Sequence, residues 1–134
     1  MGCANIINDM EYIGEFARKI EQLRVPYSGG LDFTNRCNLR CVHCYVGSAR
    51  YSSASGRREM EKDRVLAILD EIRDAGCLHL LITGGEPLLR SDFKDVYEHA
   101  KRIGMIVTVF TNGTLMTRGI LDLFTDLPPY SVEI

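Results

Sequence analysis

Three cysteines stand close together in the run Cys37-Asn38-Leu39-Arg40-Cys41-Val42-His43-Cys44. Iron–sulfur clusters are held by cysteine thiolates, and a polar loop can fold three of them round one face of a four-iron cubane. Three ligands leave one iron open, and an open metal position is what substrate-binding catalysis requires, whereas a simple electron carrier closes all four. A zinc site, with Cys77 or a histidine as fourth ligand, is the other reading of the same residues, although zinc ligands more often arrive as two separated pairs. Ordinary buried cysteines fit such a polar loop poorly. Cys77 suits a small core residue at the start of a strand, and Cys3, near the N-terminus, carries no assignment.

Two further motifs have unusual chemistry. Thr83-Gly84-Gly85-Glu86-Pro87 pairs two glycines, which let a backbone approach a ligand closely, with a carboxylate able to accept hydrogen bonds from an ammonium group. Thr111-Asn112-Gly113-Thr114 has the form of a glycosylation acceptor or of a hairpin turn. Neither suits a cytoplasmic chain in which a helical pattern follows. His79 and His99 fall within a strand and a helix pattern and are read as structural or surface residues.

The elements that must position these motifs follow from periodicity. Ile7, Met10, Ile13, Phe16, Ala17, Ile20 and Leu23 recur at helical spacing, and Pro26 with Gly29–Gly30 ends that run. This lead-in, residues 1–28, is expected to pack against the remainder or cover one end of it. A short strand is expected at Leu31–Thr34, then the cysteine loop and a Ser-rich stretch, Ser52 to Gly56. Val65, Ile68, Leu69, Ile72 and Ala75 share a helical face that Gly76 stops, and His79 to Thr83 forms the next strand. Ser91 can cap a helix whose apolar side is Phe93, Val96, Tyr97, Ala100 and Ile103, with Gly104 as its stop. Met105 to Thr111 is an apolar, β-branched run expected to be a strand buried on both faces. Thr117 can cap a helix carrying Ile120, Leu121, Phe124 and Leu127, and Ser131 begins a fourth strand. Strands alternating with helices predict an α/β fold with a parallel sheet and right-handed crossovers. The three polar motifs then follow the first three strands, at the carboxyl edge where barrel-like α/β folds gather their chemistry.

The 134 residues suffice for one modest domain, and 46% hydrophobic with 25% charged residues is ordinary for a globular chain. A net charge of -2 supplies no broad basic field for nucleic acid, and Arg57–Arg58 reads as a solvated loop. No apolar run is long enough to cross a bilayer, so no membrane partner is expected. Met1 to Met10 lacks a basic start with an apolar centre, which leads to the expectation of a cytoplasmic protein, where clustered thiols are ligands or catalysts rather than disulfides.

The Cys-x3-Cys-x2-Cys loop directly after a first strand resembles the cluster loop of the radical S-adenosylmethionine (SAM) superfamily. The resemblance runs from Leu31 to Ile134 and takes in the Gly-Gly-Glu-Pro and Thr-Asn-Gly motifs in the family's order. It implies Cys37, Cys41 and Cys44 as ligands of a [4Fe–4S] cluster and His43 as a neighbour of the cofactor's adenine. It further implies Gly84, Gly85, Glu86 and Pro87 against the amino group of its methionine part, and Asn112 in its pocket. The family builds six β/α units in a partial barrel; residues 29–134 supply the first three and the start of a fourth strand, an incomplete core domain. The wording Cys-Asn-Leu-Arg-Cys-Val-His-Cys-Tyr is most similar to the branch that often carries a C-terminal SPASM extension, which holds peptide and protein maturases and some haem-pathway enzymes. The implied activity is reductive cleavage of SAM to a 5′-deoxyadenosyl radical that abstracts hydrogen from a substrate, possible substrates including a peptide or protein, with flavodoxin or ferredoxin as electron donor. A cluster-binding remnant without catalysis and a zinc-binding interaction module are the alternatives.

Overall fold

Parallel pairing of the strands in chain order organises the molecule. The computed structural model describes residues 8–46 and 59–134. Cys3, Ile7, the Ser52–Gly56 stretch and Arg57–Arg58 lie outside the described residues. Strands β1 (Ser28–Asp32), β2 (His79–Thr83), β3 (Ile106–Phe110) and β4 (Ser131–Glu133) form one sheet in the order β1-β2-β3-β4, every pair parallel. Helices α2 (Lys62–Asp74), α3 (Phe93–Arg102) and α4 (Arg118–Asp126) connect them. Buried residues of all three helices, among them Leu69, Val96 and Ile120, share one core with Leu80, Ile82, Val107 and Val109 of the strands. Alternate strand residues face opposite sides, so the helices cover a single face. Unbroken strand order with helices on one side is the start of a barrel-like winding, not of a doubly wound sheet, in which the order reverses.

Local signals account for most of the helices. Asn8 accepts the Met10 N–H at 2.9 Å and starts α1 (Asp9–Leu23). Gly76 and Gly104 take left-handed φ values of 103° and 90° after α2 and α3, as expected of helix stops. In the core, the Tyr97 hydroxyl donates to the Leu127 carbonyl at 2.6 Å, and burial pushes its pKa up to about 12.

Four expectations need correction. The first strand runs Ser28–Asp32, not Leu31–Thr34. Gly29 and Gly30 join it because pairing Ser28↔His79 through Asp32↔Thr83 outweighs their weak strand preference, and α1 already ends at Arg24, itself left-handed at φ 52°. Helix α3 begins at Phe93 with Asp92 at its N-cap, not Ser91. Buried Arg90 binds the Asp92 carboxylate, with Nη2–Oδ2 at 2.5 Å, and holds that carboxyl below its ordinary range. On α4, Leu123 is buried and Leu121 is half exposed, a rotation of the apolar face set by where the sheet lies. Strand β3 is buried on its helical side at Val107 and Val109, while Thr108 is intermediate and Phe110 exposed, because no helix among the described residues covers the other side.

Helix α1 leaves Met10, Tyr12, Ile13 and Leu23 exposed. Its aromatic contact with the sheet is Phe16 edge-on to Tyr27, at 5.2 Å between ring centres, and Tyr27 in turn packs on His79 at 4.9 Å. Tyr27 precedes β1 and His79 opens β2, so α1 touches the amino end of the sheet, opposite the three polar motifs. No described helix is long and apolar enough to cross a membrane.

Candidate cluster and cofactor site

The loops that leave β1, β2 and β3 are bound to one another at the carboxyl edge. Between the first and second, Gly85 N–H donates to the Thr34 carbonyl at 2.6 Å and Glu86 N–H to the Arg36 carbonyl at 2.8 Å. The two glycines are required by this contact: a Cβ on Gly84 would lie 2.4 Å from the Thr34 carbonyl oxygen, and one on Gly85 would lie 2.1 Å from that of Arg36. The paired glycines thus make a close approach to the chain entering the cysteine loop. Gly85→Ala is expected to force these backbones apart and cost about 2–4 kcal/mol, on the scale of a severe steric or backbone effect, measurable by urea denaturation.

The second and third loops meet through Glu86, which is 0% exposed. Its Oε1 accepts the Leu88 N–H at 3.0 Å and the Thr111 hydroxyl at 2.8 Å, and its Oε2 accepts the Asn112 N–H at 2.7 Å. Both oxygens are engaged inside the protein. Pro87 follows as the first residue of a single 3-10 turn, Pro87–Leu89, and is buried.

The third loop returns to the first. Asn112 Nδ2 donates to Asn38 Oδ1 at 2.8 Å and approaches Cys37 Sγ at 3.8 Å, while Asn112 Oδ1 accepts the Thr114 N–H and hydroxyl at 3.0 and 2.6 Å. The Leu39 N–H also points at Cys37 Sγ, at 3.4 Å. At the far end of the cysteine loop, the Tyr45 hydroxyl meets Thr83 Oγ1 at 2.6 Å and Gly84 O at 3.4 Å.

Cys41 is exposed, Cys37 and Cys44 are partly so, and His43 beside them is exposed. Among the described residues no three Cys, His, Asp or Glu side chains are grouped to hold a metal ion. The donor set nevertheless fits a cluster: three accessible thiols lie on one loop, one already provided with N–H donors. A zinc ion would need a fourth donor, and Cys77 is placed away from the loop. It is buried before β2, its thiol pushed up by burial and donating to the His79 carbonyl at 3.4 Å. A five-residue strand at ~3.3 Å per residue puts it about 15 Å from the carboxyl edge. His79 lies at that same amino end, and His99 pairs with Asp70 at 3.0 Å.

Sequence reasoning missed the residues that brace the loop's entrance. Glu59 accepts from Thr34 Oγ1 and takes both Arg36 Nε, at 2.9 Å, and Nη2, at 3.0 Å. Burial raises the Glu59 carboxyl, but the hydrogen bonds from Arg36 and Thr34 and the charges of Arg36 and Arg90 outweigh it and hold it below its ordinary value. Arg90 lies over the Phe33 ring at 4.1 Å and donates to the carbonyls of Phe33, at 3.2 Å, and Met60, at 2.9 Å. Nothing in residue spacing marks these partners.

A parallel β/α winding with a three-cysteine loop stitched to a glycine turn and an Asn-Gly turn at its carboxyl edge defines a barrel-type α/β protein whose polar site lies at that edge. The chain belongs to the Radical SAM superfamily, whose sequence profile matches residues 31–134. The superfamily uses a [4Fe–4S] cluster and SAM. The chain is 36% identical over 87 residues to the Fe-coproporphyrin III synthase of Methanosarcina barkeri, covering 65% of this chain and 21% of that protein. It is 29% identical over 114 residues to the PqqA peptide cyclase of Bradyrhizobium diazoefficiens, covering 85% and 29%. Streptococcus suis SuiB bound to its precursor peptide SuiA has a similar fold, with a TM-score of 0.67, 18% identity and coverage of 98% of this chain and 31% of that one. SuiB has also been solved bound to SAM. The chain therefore spans between about a fifth and a third of the length of these relatives.

Proposed function

We propose that this chain supplies the cluster- and SAM-binding part of a radical SAM enzyme acting on a peptide or protein. The observation that carries the reading is the ring of hydrogen bonds joining the cysteine loop, the Gly84–Gly85 turn and the Thr111–Asn112 turn at one edge of the sheet. Cys37, Cys41 and Cys44 would hold the cluster. His43, exposed on the same loop, would face the adenine. The Gly84–Pro87 turn would receive the methionine end of SAM. Because both Glu86 oxygens are occupied, that contact falls to the turn's backbone, with Glu86 shaping it from beneath. Asn112 would line the pocket while orienting Cys37.

When bound, the reduced cluster and SAM supply a 5′-deoxyadenosyl radical and methionine by one-electron cleavage of the C5′–S bond. The protein's part is ligation, orientation and exclusion of water. A flavodoxin or ferredoxin would deliver the electron, in the cytoplasm.

A peptide or protein substrate draws support from the PqqA peptide cyclase and from SuiB with its precursor peptide. The 36% identity to the Fe-coproporphyrin III synthase favours a tetrapyrrole as second reading. Anaerobic reconstitution with iron and sulfide, then dithionite and SAM, tests the chemistry: 5′-deoxyadenosine and methionine are expected in equal amounts. A brown, cluster-loaded protein that yields neither would leave a non-catalytic remnant; a colourless protein with one zinc would overturn the cluster itself.

A further inference from the structure

The cysteine loop lies in the connection between β1 and α2. Its two ends are joined twice. Arg36 and Glu59, 23 positions apart, form a two-pronged ion pair, and the same carboxylate accepts the Thr34 hydroxyl. Beside it, Arg90 holds the carbonyl of Phe33 at one end and of Met60 at the other. An exposed ion pair alone contributes little. This one is anchored on Thr34, which is 3% exposed and whose hydroxyl also accepts the Arg36 N–H at 3.0 Å. The carbonyls of Thr34 and Arg36 are the two that the Gly85 and Glu86 amides bind. Glu59 therefore sets the backbone on which the glycine turn rests, one residue before Cys37.

We propose that Glu59 is a positioning residue for the cysteine loop: by gripping Thr34 and Arg36 it fixes the approach to Cys37. Its effect on the loop backbone stands without any ligand, while its effect on iron retention rests on the cluster reading above. Arg90 cross-links the same ends but is buried, so its removal would disturb the core as well. Glu59 is one-third exposed and can be replaced without opening a cavity.

Hydrogen exchange of the apoprotein tests the clamp first. In Glu59→Ala, exchange at the Arg36, Gly85 and Glu86 amides is expected to accelerate about tenfold, the factor given by one lost charge-assisted hydrogen bond, while the amides of α3 stay unchanged. Glu59→Gln keeps an acceptor for Thr34 but loses the ion pair, and should fall between. Unchanged exchange at Gly85 and Glu86 would overturn the clamp. In the reconstituted protein, iron transfer to a chelator should also accelerate about tenfold in Glu59→Ala, in step with the exchange. Faster exchange with unaltered iron release would overturn the positioning role. If the unsubstituted protein takes up no cluster, the cluster reading falls, and the exchange arm still decides the clamp.

Discussion

Cys41→Ala is expected to bind cluster at least ~100-fold more weakly than the unsubstituted chain, since even losing a hydrogen-bond partner of a metal's ligand costs about 10–100-fold. Reconstituted material should lose the brown colour and form no 5′-deoxyadenosine. The fold should be untouched. Cys41 is exposed on a loop, and surface substitutions change stability by no more than about 0.5 kcal/mol. Cys77→Ala is expected to do the opposite. Its side chain is 5% exposed in the core, beneath Gly29 with Sγ 3.5 Å from where that residue's Cβ would lie. Truncation should cost about 1 kcal/mol and leave iron content alone. Iron per chain and the urea midpoint, measured on both variants, separate ligand from core residue. Full iron in Cys41→Ala, or iron loss in Cys77→Ala, would refute the ligand assignment.

The second large effect is expected at Glu86. Alanine there removes a buried carboxylate and leaves the Leu88 amide, Thr111 hydroxyl and Asn112 amide without their acceptor. Hydrogen bonds to a charged group contribute about 1.5–3 kcal/mol each and are not additive, so Glu86→Ala should lose roughly 3–5 kcal/mol. Against a total of about 5–15 kcal/mol that is enough to unfold a small domain at moderate temperature. Glu86→Gln keeps one acceptor but turns an amide NH2 toward the Asn112 N–H or the Thr111 side, and should lose about half as much. The defect should reach the cluster, because Asn112 is the residue whose carboxamide approaches Cys37 Sγ. Denaturant curves with iron affinity on the Gln variant measure both. A Glu86→Ala protein as stable as its parent would show that the three loops are held together by something else.

The periodic and local features of this protein were legible in its sequence. Apolar spacing located α2, α3 and α4 and their order among the strands, because each such element is encoded by residues three or four apart. The cysteine spacing marked the loop, and Gly76 and Gly104 marked helix ends, since a left-handed backbone demands glycine whatever surrounds it. Arg24 shows the limit of that rule: it ends α1 in the same conformation without a glycine to announce it.

What only the tertiary structure decided depends on partners far apart in the chain. Whether Gly29 and Gly30 stop a helix or join a strand is settled by pairing with residues of β2 some fifty positions on. The turn of α4 that buries Leu123 and exposes Leu121 is set by the sheet beneath it. The backbone of Thr34 and Arg36 packs where side chains at Gly84 and Gly85 would lie, a contact between loops some fifty positions apart. Glu86, Glu59 and Arg90 are ordinary polar residues in the sequence. They become braces only when the winding brings three strand ends together, because a buried or half-buried charge must find its hydrogen-bond partners wherever the fold supplies them.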